Sequence, residues 1–287
     1  MRPMPRADAM CRLPRSGQHG FTLIEAIMVI TITGIIAAVV AIFIRRPVEA
    51  YFDTARRAAL TDMADTTARR IARDLQGALP NSVRVDGTGR FLEFVPIRDA
   101  GRYRVEVGTS AGDDPLDFTN AADNSFDVLG PTVTVLAGDS LVVYNLGIAG
   151  ADVYETAPLS TRRAATAGAA LSKVTFTPTA SPLPFASPGS RFQIVGTPVS
   201  YACDLGTGRI WRYSGYAFQA AQPATLATLN GLAGVTAAVL TSNVTACSFA
   251  YGAGVLQHNG LVSISLTLSL AGESVTLQHQ VNVDNVP

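Results

Sequence analysis

Apolar and polar positions fall into three regimes along this chain. From Phe21 to Ile44 (FTLIEAIMVITITGIIAAVVAIFI) the run is apolar on every side, broken by a single charge, Glu25, and by no Pro. As a helix it extends roughly 36 Å, enough to cross a bilayer. After Arg45–Arg46–Pro47 the period becomes helical. Ala55, Ala58, Ala59, Leu60, Met63, Ala64, Ala68, Ile71, Ala72, Leu75 and Leu79 recur three and four residues apart, while Arg56, Arg57, Asp62, Asp65, Arg69, Arg70, Arg73 and Asp74 take the other face. This spacing predicts an amphipathic helix that ends at Pro80–Asn81, with Pro47 expected to kink it or let it restart.

From residue 81 the period drops to two, as half-buried strands require. Strands are predicted at Phe91–Ile97, Tyr103–Val107, Ser140–Leu146, Lys173–Thr177, Arg191–Ile194, Val199–Ala202 and Ile210–Tyr213. The end of the chain alternates most regularly, in Leu261–Leu270 (LVSISLTLSL) and Ser274–Val283 (SVTLQHQVNV). Across Ala271–Gly272–Glu273 these read as a hairpin with one wet face, and Gly206–Thr207–Gly208 reads as a second turn. Gly108–Gly130 and Thr156–Ala170 read as loops.

The start of the chain inverts an ordinary secretory signal, in which an apolar run precedes a small-residue cleavage site. Here the small residue, Gly20, follows a basic stretch and stands before the apolar run. Cleavage after it would leave the hydrophobic segment on the mature protein. The basic flank places the leader in the cytoplasm and the rest of the chain outside. Glu25 sharpens the pattern, since a carboxylate in a hydrophobic span costs about 2.5–3.5 kcal/mol and needs a partner. A cut after Gly20 creates one: a new α-amino group on Phe21, available to the Glu25 of a neighbouring helix.

GFTLIE at Gly20–Glu25, after a basic leader and before some twenty apolar residues, resembles the class III prepilin signature of type IV pilins and type II secretion pseudopilins. The resemblance implies that a prepilin peptidase cuts between Gly20 and Phe21 and methylates Phe21, and that Glu25 guides subunit addition. A plain signal anchor would explain the apolar run but not the Glu. Pro47–Val85, Arg191–Tyr216, Val244–Tyr251 and the closing GLVSISLTL…GESVTLQHQVNVDNVP are similar to minor pilins of the mannose-sensitive haemagglutinin (MSHA) pilus. Residues from about 99 to 172 carry no such likeness.

The expected fold class is α+β. A long N-terminal pilin helix, membrane half plus amphipathic half, packs on an antiparallel β-rich domain. The expected parts are a leader (1–20), a transmembrane and assembly helix (21–46), its amphipathic continuation (47–80) and a β-rich domain (81–287). The expected function is that of a minor pilin or assembly protein in an MSHA-type pilus. The alternatives are a J-type pseudopilin of a type II secretion system, or a tip adhesin. Expected partners are other pilin subunits, the assembly platform, prepilin peptidase and the inner membrane. The expected location is a single-pass inner-membrane protein with a periplasmic body, extracellular after assembly.

Charge and cysteine usage narrow this further. The chain is formally neutral, but residues 1–20 hold four Arg and one Asp, so removing them leaves 18 basic and 21 acidic residues. Residues 81–287 hold 11 basic and 15 acidic residues, a poor balance for nucleic-acid binding. Of three cysteines, Cys11 lies in the leader. Cys203 and Cys247 remain as a pair suited to one disulfide in an oxidising compartment, the alternative being two buried thiols. Asp113, Asp114, Asp117, Asp123 and Asp127 could offer oxygens to calcium, but their spacing fits no EF-hand loop and a solvated acidic loop is the better reading.

No catalytic residue, cofactor or metal is expected. The three histidines, His19, His258 and His279, form no sequence cluster, and GxSxG, HExxH, CxxC, P-loop and dinucleotide patterns are missing. A surface glycan is the remaining candidate ligand, because Trp211 with Tyr213 and Tyr216 could stack on a sugar; packing in the core or at an edge strand is the plainer role for these rings.

Overall fold

The computed structural model describes residues 20–110, 112–156, 160–252 and 259–285. The leader up to residue 19, with Cys11 and His19, and also His258, lie outside the described residues. The chain divides into two compact units, Met1–Thr54 and Ala55–Pro287.

Helix α1 spans Leu23–Gln76 and so contributes to both units. It continues through Pro47 without interruption, where a restart was one expectation. Proline removes one donor and crowds one carbonyl, a local cost. Good helix formers on either side continue a helix already nucleated. The helix stops at Gln76, short of Pro80. There the backbone turns to strand-like partners instead: Ile97 N–H donates to Gly77 O (2.9 Å) and Leu79 N–H to Val95 O (2.7 Å). Asn81, at φ 58°, then holds the corner by donating to Asn145 O at 3.0 Å.

The second unit adds strands β1 (Arg84–Val85), β2 (Phe91–Phe94), β3 (Ile97–Tyr103), β4 (Ser125–Leu129), β5 (Val133–Val135), β6 (Ser140–Val142), β7 (Arg162–Ala164) and β8 (Gly168–Leu171). There follow β9 (Lys173–Thr175), β10 (Arg191–Val195), β11 (Val199–Asp204), β12 (Arg209–Ser214) and a short helix α2 (Leu226–Asn230). The chain closes with β13 (Thr236–Thr241), β14 (Val244–Gly252), β15 (Gly260–Leu270) and β16 (Glu273–Val283). All pairings between these strands are antiparallel. They form sheets ordered β1-β2-β11-β12-β13, β7-β6-β10-β3-β4-β9, β14-β15-β16 and β5-β8. The architecture is α+β.

The first and third sheets share one core with the helix. Leu60, Ala64, Ile71 and Leu75 of α1 are fully buried against Leu92, Tyr201 and Ile210 of one sheet and Val262, Ile264 and Leu266 of the other. Each such aliphatic side chain contributes about 1.5–3 kcal/mol by leaving water. Ala55, Ala58 and Ala59, assigned by their spacing to the same face, are exposed, so the buried stripe begins at Leu60. Thr67 joins it, its hydroxyl satisfied by Met63 O at 2.7 Å.

The six-stranded sheet builds a separate core from residues 103–194. Phe126 meets Phe192 edge-on with centroids 5.0 Å apart, and Tyr103 lies 6.2 Å from Phe126. Gly101 permits this packing, because a Cβ there would sit 2.8 Å from the Phe192 ring. FLEFVPI is thus two strands rather than one: the chain leaves the first sheet at Phe94 and enters the second at Ile97, with Pro96 between. Tyr103–Val107 contributes only Tyr103 to a strand, and the two expected loops contain β4, β7 and the start of β8. The closing hairpin is a two-residue turn, Ala271 (φ 50°) and Gly272 (φ 87°), both in the left-handed region as a type I′ turn requires.

Candidate functional site in the N-terminal helix

The helix begins where the sequence provides a cap. Thr22 Oγ1 accepts from Glu25 N–H (3.3 Å) and Thr22 O accepts from Ala26 N–H (3.1 Å). Thr22-Leu-Ile-Glu25 has the spacing of a capping box, a signal present in the sequence but missed in reading it. Glu25 sits in the first turn, where a negative charge gains about 0.3–1 kcal/mol from the helix dipole. The carboxylate is exposed and makes no ion pair among the described residues.

Beyond Glu25 the apolar side chains have nothing packed on them among the described residues. Ile24 is 63% exposed, Ile30 71% and Phe43 74%. Within α1 an eighteen-residue apolar window is wholly unburied, and by length and composition the helix can cross a membrane. Thr31 within it is satisfied by the helix's own backbone. Thr31 Oγ1 donates to Ile27 O at 2.9 Å and lies 3.0 Å from Met28 O. Exposure on this scale is unfavourable in water, so the segment needs lipid or neighbouring helices around it. Gly20 and Phe21 precede the helix with nothing packed on them among the described residues: a Cβ on Gly20 would meet nothing within 4 Å, and Phe21 is 78% exposed.

Residues 15–41 match the prokaryotic N-terminal methylation motif. This is the class III prepilin signal, and it indicates a type IV pilin-like protein that prepilin peptidase processes and that assembles with other pilins. No curated protein and no solved structure matches the chain. In the prepilin motif the three residues singled out by sequence, Gly20, Phe21 and Glu25, fall within five positions of one another at the helix start, and the apolar helix to their C-terminal side is the element the motif needs.

The body of this pilin-like chain holds the other candidates. Cys203 on β11 and Cys247 on β14 form a disulfide with Cα atoms 6.3 Å apart, tying the first sheet to the third. Their separation of 44 residues corresponds to roughly 4 kcal/mol in the chain-entropy account. Cys203→Ser/Cys247→Ser is thus expected to lower unfolding free energy by about 2–4 kcal/mol, read from urea titrations of both proteins.

The acidic loop neutralises itself. Arg104 pairs with Asp113 (3.2 Å) and Asp127 (3.1 Å), and Lys173 with Asp114 (3.0 Å). Asp123 accepts from Asp117 N–H, and Asp117 from Thr119. Hydrogen bonding from the Asp114 amide, then Arg104 and Lys173, holds the Asp127 carboxyl below its ordinary value against its own partial desolvation. Among the described residues no group of three or more His, Cys, Asp or Glu is placed to hold a metal ion. The proposed sugar platform does not form either: Tyr213 and Tyr216 are buried, bonding Asn230 and Glu93, and only Trp211 is part-exposed. His279 is half-buried on β16 opposite Ile264, away from any His, Cys, Asp or Glu cluster.

One cluster in the body had no sequence signature. Glu93 on β2 is completely buried and accepts from Arg84 Nε (2.5 Å) and the Tyr216 hydroxyl (2.8 Å), which also bonds Ser200 Oγ at 2.6 Å. Arg84 donates onward to Gln219 O (2.8 Å) and Ala220 O (2.9 Å), and its guanidinium lies 3.6 Å over the Tyr154 ring. Burial raises the Glu93 carboxyl, with Arg84 and Tyr216 opposing, and burial beside Glu93 raises the Tyr216 phenol. Glu93 and Tyr216 are fully buried and their polar groups are taken up by partners within the chain, so the network reads as a structural clamp.

Proposed function

We propose that this protein is a minor pilin of an MSHA-type pilus, similar to the O protein of MSHA pilus biogenesis, which enters the fibre through α1. Prepilin peptidase cuts between Gly20 and Phe21 and methylates the new Phe21 amine. Glu25 then pairs with the α-amino group of an adjacent subunit. The observation that carries this reading is the uncovered apolar helix that starts within the methylation motif, with a carboxylate in its first turn lacking an ion-pair partner among the described residues. That charge is a burden to a single helix in lipid and becomes favourable once paired. The sequence likeness in Pro47–Val85, Arg191–Tyr216 and Val244–Tyr251 supports the MSHA assignment, and the J-type pseudopilin is its nearest alternative.

The test is the intact mass of the membrane-extracted protein from cells with and without prepilin peptidase. The expected result is a chain beginning at Phe21 with one added methyl group, seen only when the peptidase is present. A chain left uncut, or cut beyond Ile44, overturns the proposal.

A further inference from the structure

The Arg-bearing face of α1 stands beside an open sheet edge. β13 is the last strand of the five-stranded sheet and, among the described residues, pairs only with β12. Its residues Thr236–Val239 are exposed, Val239 by 47%, and TAAVLT carries neither charge nor Pro. Exposed edges are usually blunted by just such residues, because their unpaired N–H and C=O groups invite another strand. Here the charge comes from the helix instead. A cleft of about 440 Å³ is lined by Thr66, Thr67, Arg69, Arg70 and Arg73 of α1 and by Val239 and Leu240 of β13. It adjoins a second of about 380 Å³ that shares Thr66, Thr67, Val239 and Leu240.

The cations on this wall are only partly spent. Arg69 pairs with Asp65 at 2.6 Å, but Arg70 stands 3.9 Å from Asp74, whose carboxylate already takes Tyr201 and Arg212 at 2.7 and 3.0 Å. Arg73 is exposed and forms no ion pair among the described residues. The nearest lining acid, Asp62, sits in the adjoining cleft.

We propose that this cleft receives an extended acidic segment of another protein subunit, which adds as a strand to β13 and sets its carboxylates against Arg70 and Arg73. A strand edge presents donors and acceptors alternately, and another backbone matches both. A polyanion such as DNA would satisfy the arginines and leave the carbonyls unmet. This surface belongs to the body alone, and the inference stands whether or not the pilus reading holds.

The experiment is fluorescence anisotropy on the full chain in detergent with a labelled decapeptide of alternating Glu and Val. Saturable binding that weakens with added salt is expected. Three comparisons decide the mode. The same peptide N-methylated at alternate amides cannot pair with an edge and should bind at least about tenfold more weakly. The Lys–Val counterpart should fail to bind. Arg73→Glu, a change at an exposed side chain, should weaken the Glu–Val peptide about tenfold with the unfolding midpoint unaltered. No binding up to millimolar peptide, equal binding of the N-methylated peptide, or indifference to Arg73→Glu would each overturn the proposal. So would tighter binding of a single-stranded oligonucleotide than of the peptide.

Discussion

Replacing Arg84 with Met is expected to destabilise the folded body by about 3–5 kcal/mol, because it strands a fully buried carboxylate. Glu93 is out of reach of bulk solvent, and the Tyr216 hydroxyl alone cannot replace a guanidinium. The opposite single change should cost less. In Glu93→Gln, Arg84 keeps its carbonyl partners Gln219 and Ala220 and its place over Tyr154. The double variant Arg84→Met/Glu93→Gln should therefore recover much of the loss, and chemical denaturation of the four proteins measures it as a coupling energy. pH gives an independent readout. The Glu93 carboxyl is raised above its unfolded value of 4.5, so the native state binds this proton more tightly than the unfolded state does. Its contribution to stability is greatest below that value and declines as pH rises through the native one. Loss of Arg84 should steepen that decline, and Glu93→Gln on the same background should remove it. An Arg84→Met protein within about 1 kcal/mol of the parent would show that Glu93 is not buried as a charge.

The second large effect is expected at Glu25. Under the proposed assembly step, Glu25→Gln should leave cleavage and methylation intact yet reduce incorporation into fibres by an order of magnitude or more, on the scale of a lost buried charge pair. Gln is the informative choice, because the third position of a capping box accepts Gln as well as Glu. It keeps the helix start and removes only the charge. Thr22→Val is the reciprocal control: it removes the cap, at about 1 kcal/mol of helix stability, and keeps the charge. Sheared-fibre blots beside whole-membrane blots separate processing from incorporation. Normal fibres from Glu25→Gln with poor fibres from Thr22→Val would mean that Glu25 matters only as a cap.

How far this architecture is legible in sequence depends on whether an element carries its own period. LVSISLTLSL and its partner alternate almost throughout, with Leu261 and His279 the departures, and both strands lie where the pattern places them, Glu273 joining the second strand rather than the turn. Elements whose residues look like loop residues stay hidden. SFDVL of β4 sits inside an Asp- and Gly-rich stretch, where Asp127 serves Arg104 rather than solvent. TAAVLT of β13 lacks alternation because most of it faces water. The candidate site at the helix start was readable because its residues are contiguous. The clamp was not: Arg84, Glu93, Tyr154, Ser200 and Tyr216 meet only after three segments of chain have folded over one another, and their spacing carries no period. The aromatic trio failed for a related reason. Position along a strand does not reveal which face of a two-faced sheet is covered, and here apolar residues such as Leu229 of α2 close over Tyr213 and Tyr216.

Arg163 is a fully buried guanidinium, and it is held quite differently from Arg84. Its two terminal nitrogens donate to the carbonyls of Ser160 (2.6 Å), Arg162 (3.0 Å), Ser181 (2.9 Å) and Pro182 (3.0 Å). Main-chain oxygens are the same whatever side chain stands above them. A segment anchored in this way can exchange its surface residues under selection while its path through the structure is preserved. The stretch between about 99 and 172, for which the sequence suggested no family resemblance, contains this anchor. The outer face of that layer can therefore change in sequence without disturbing the core beneath it.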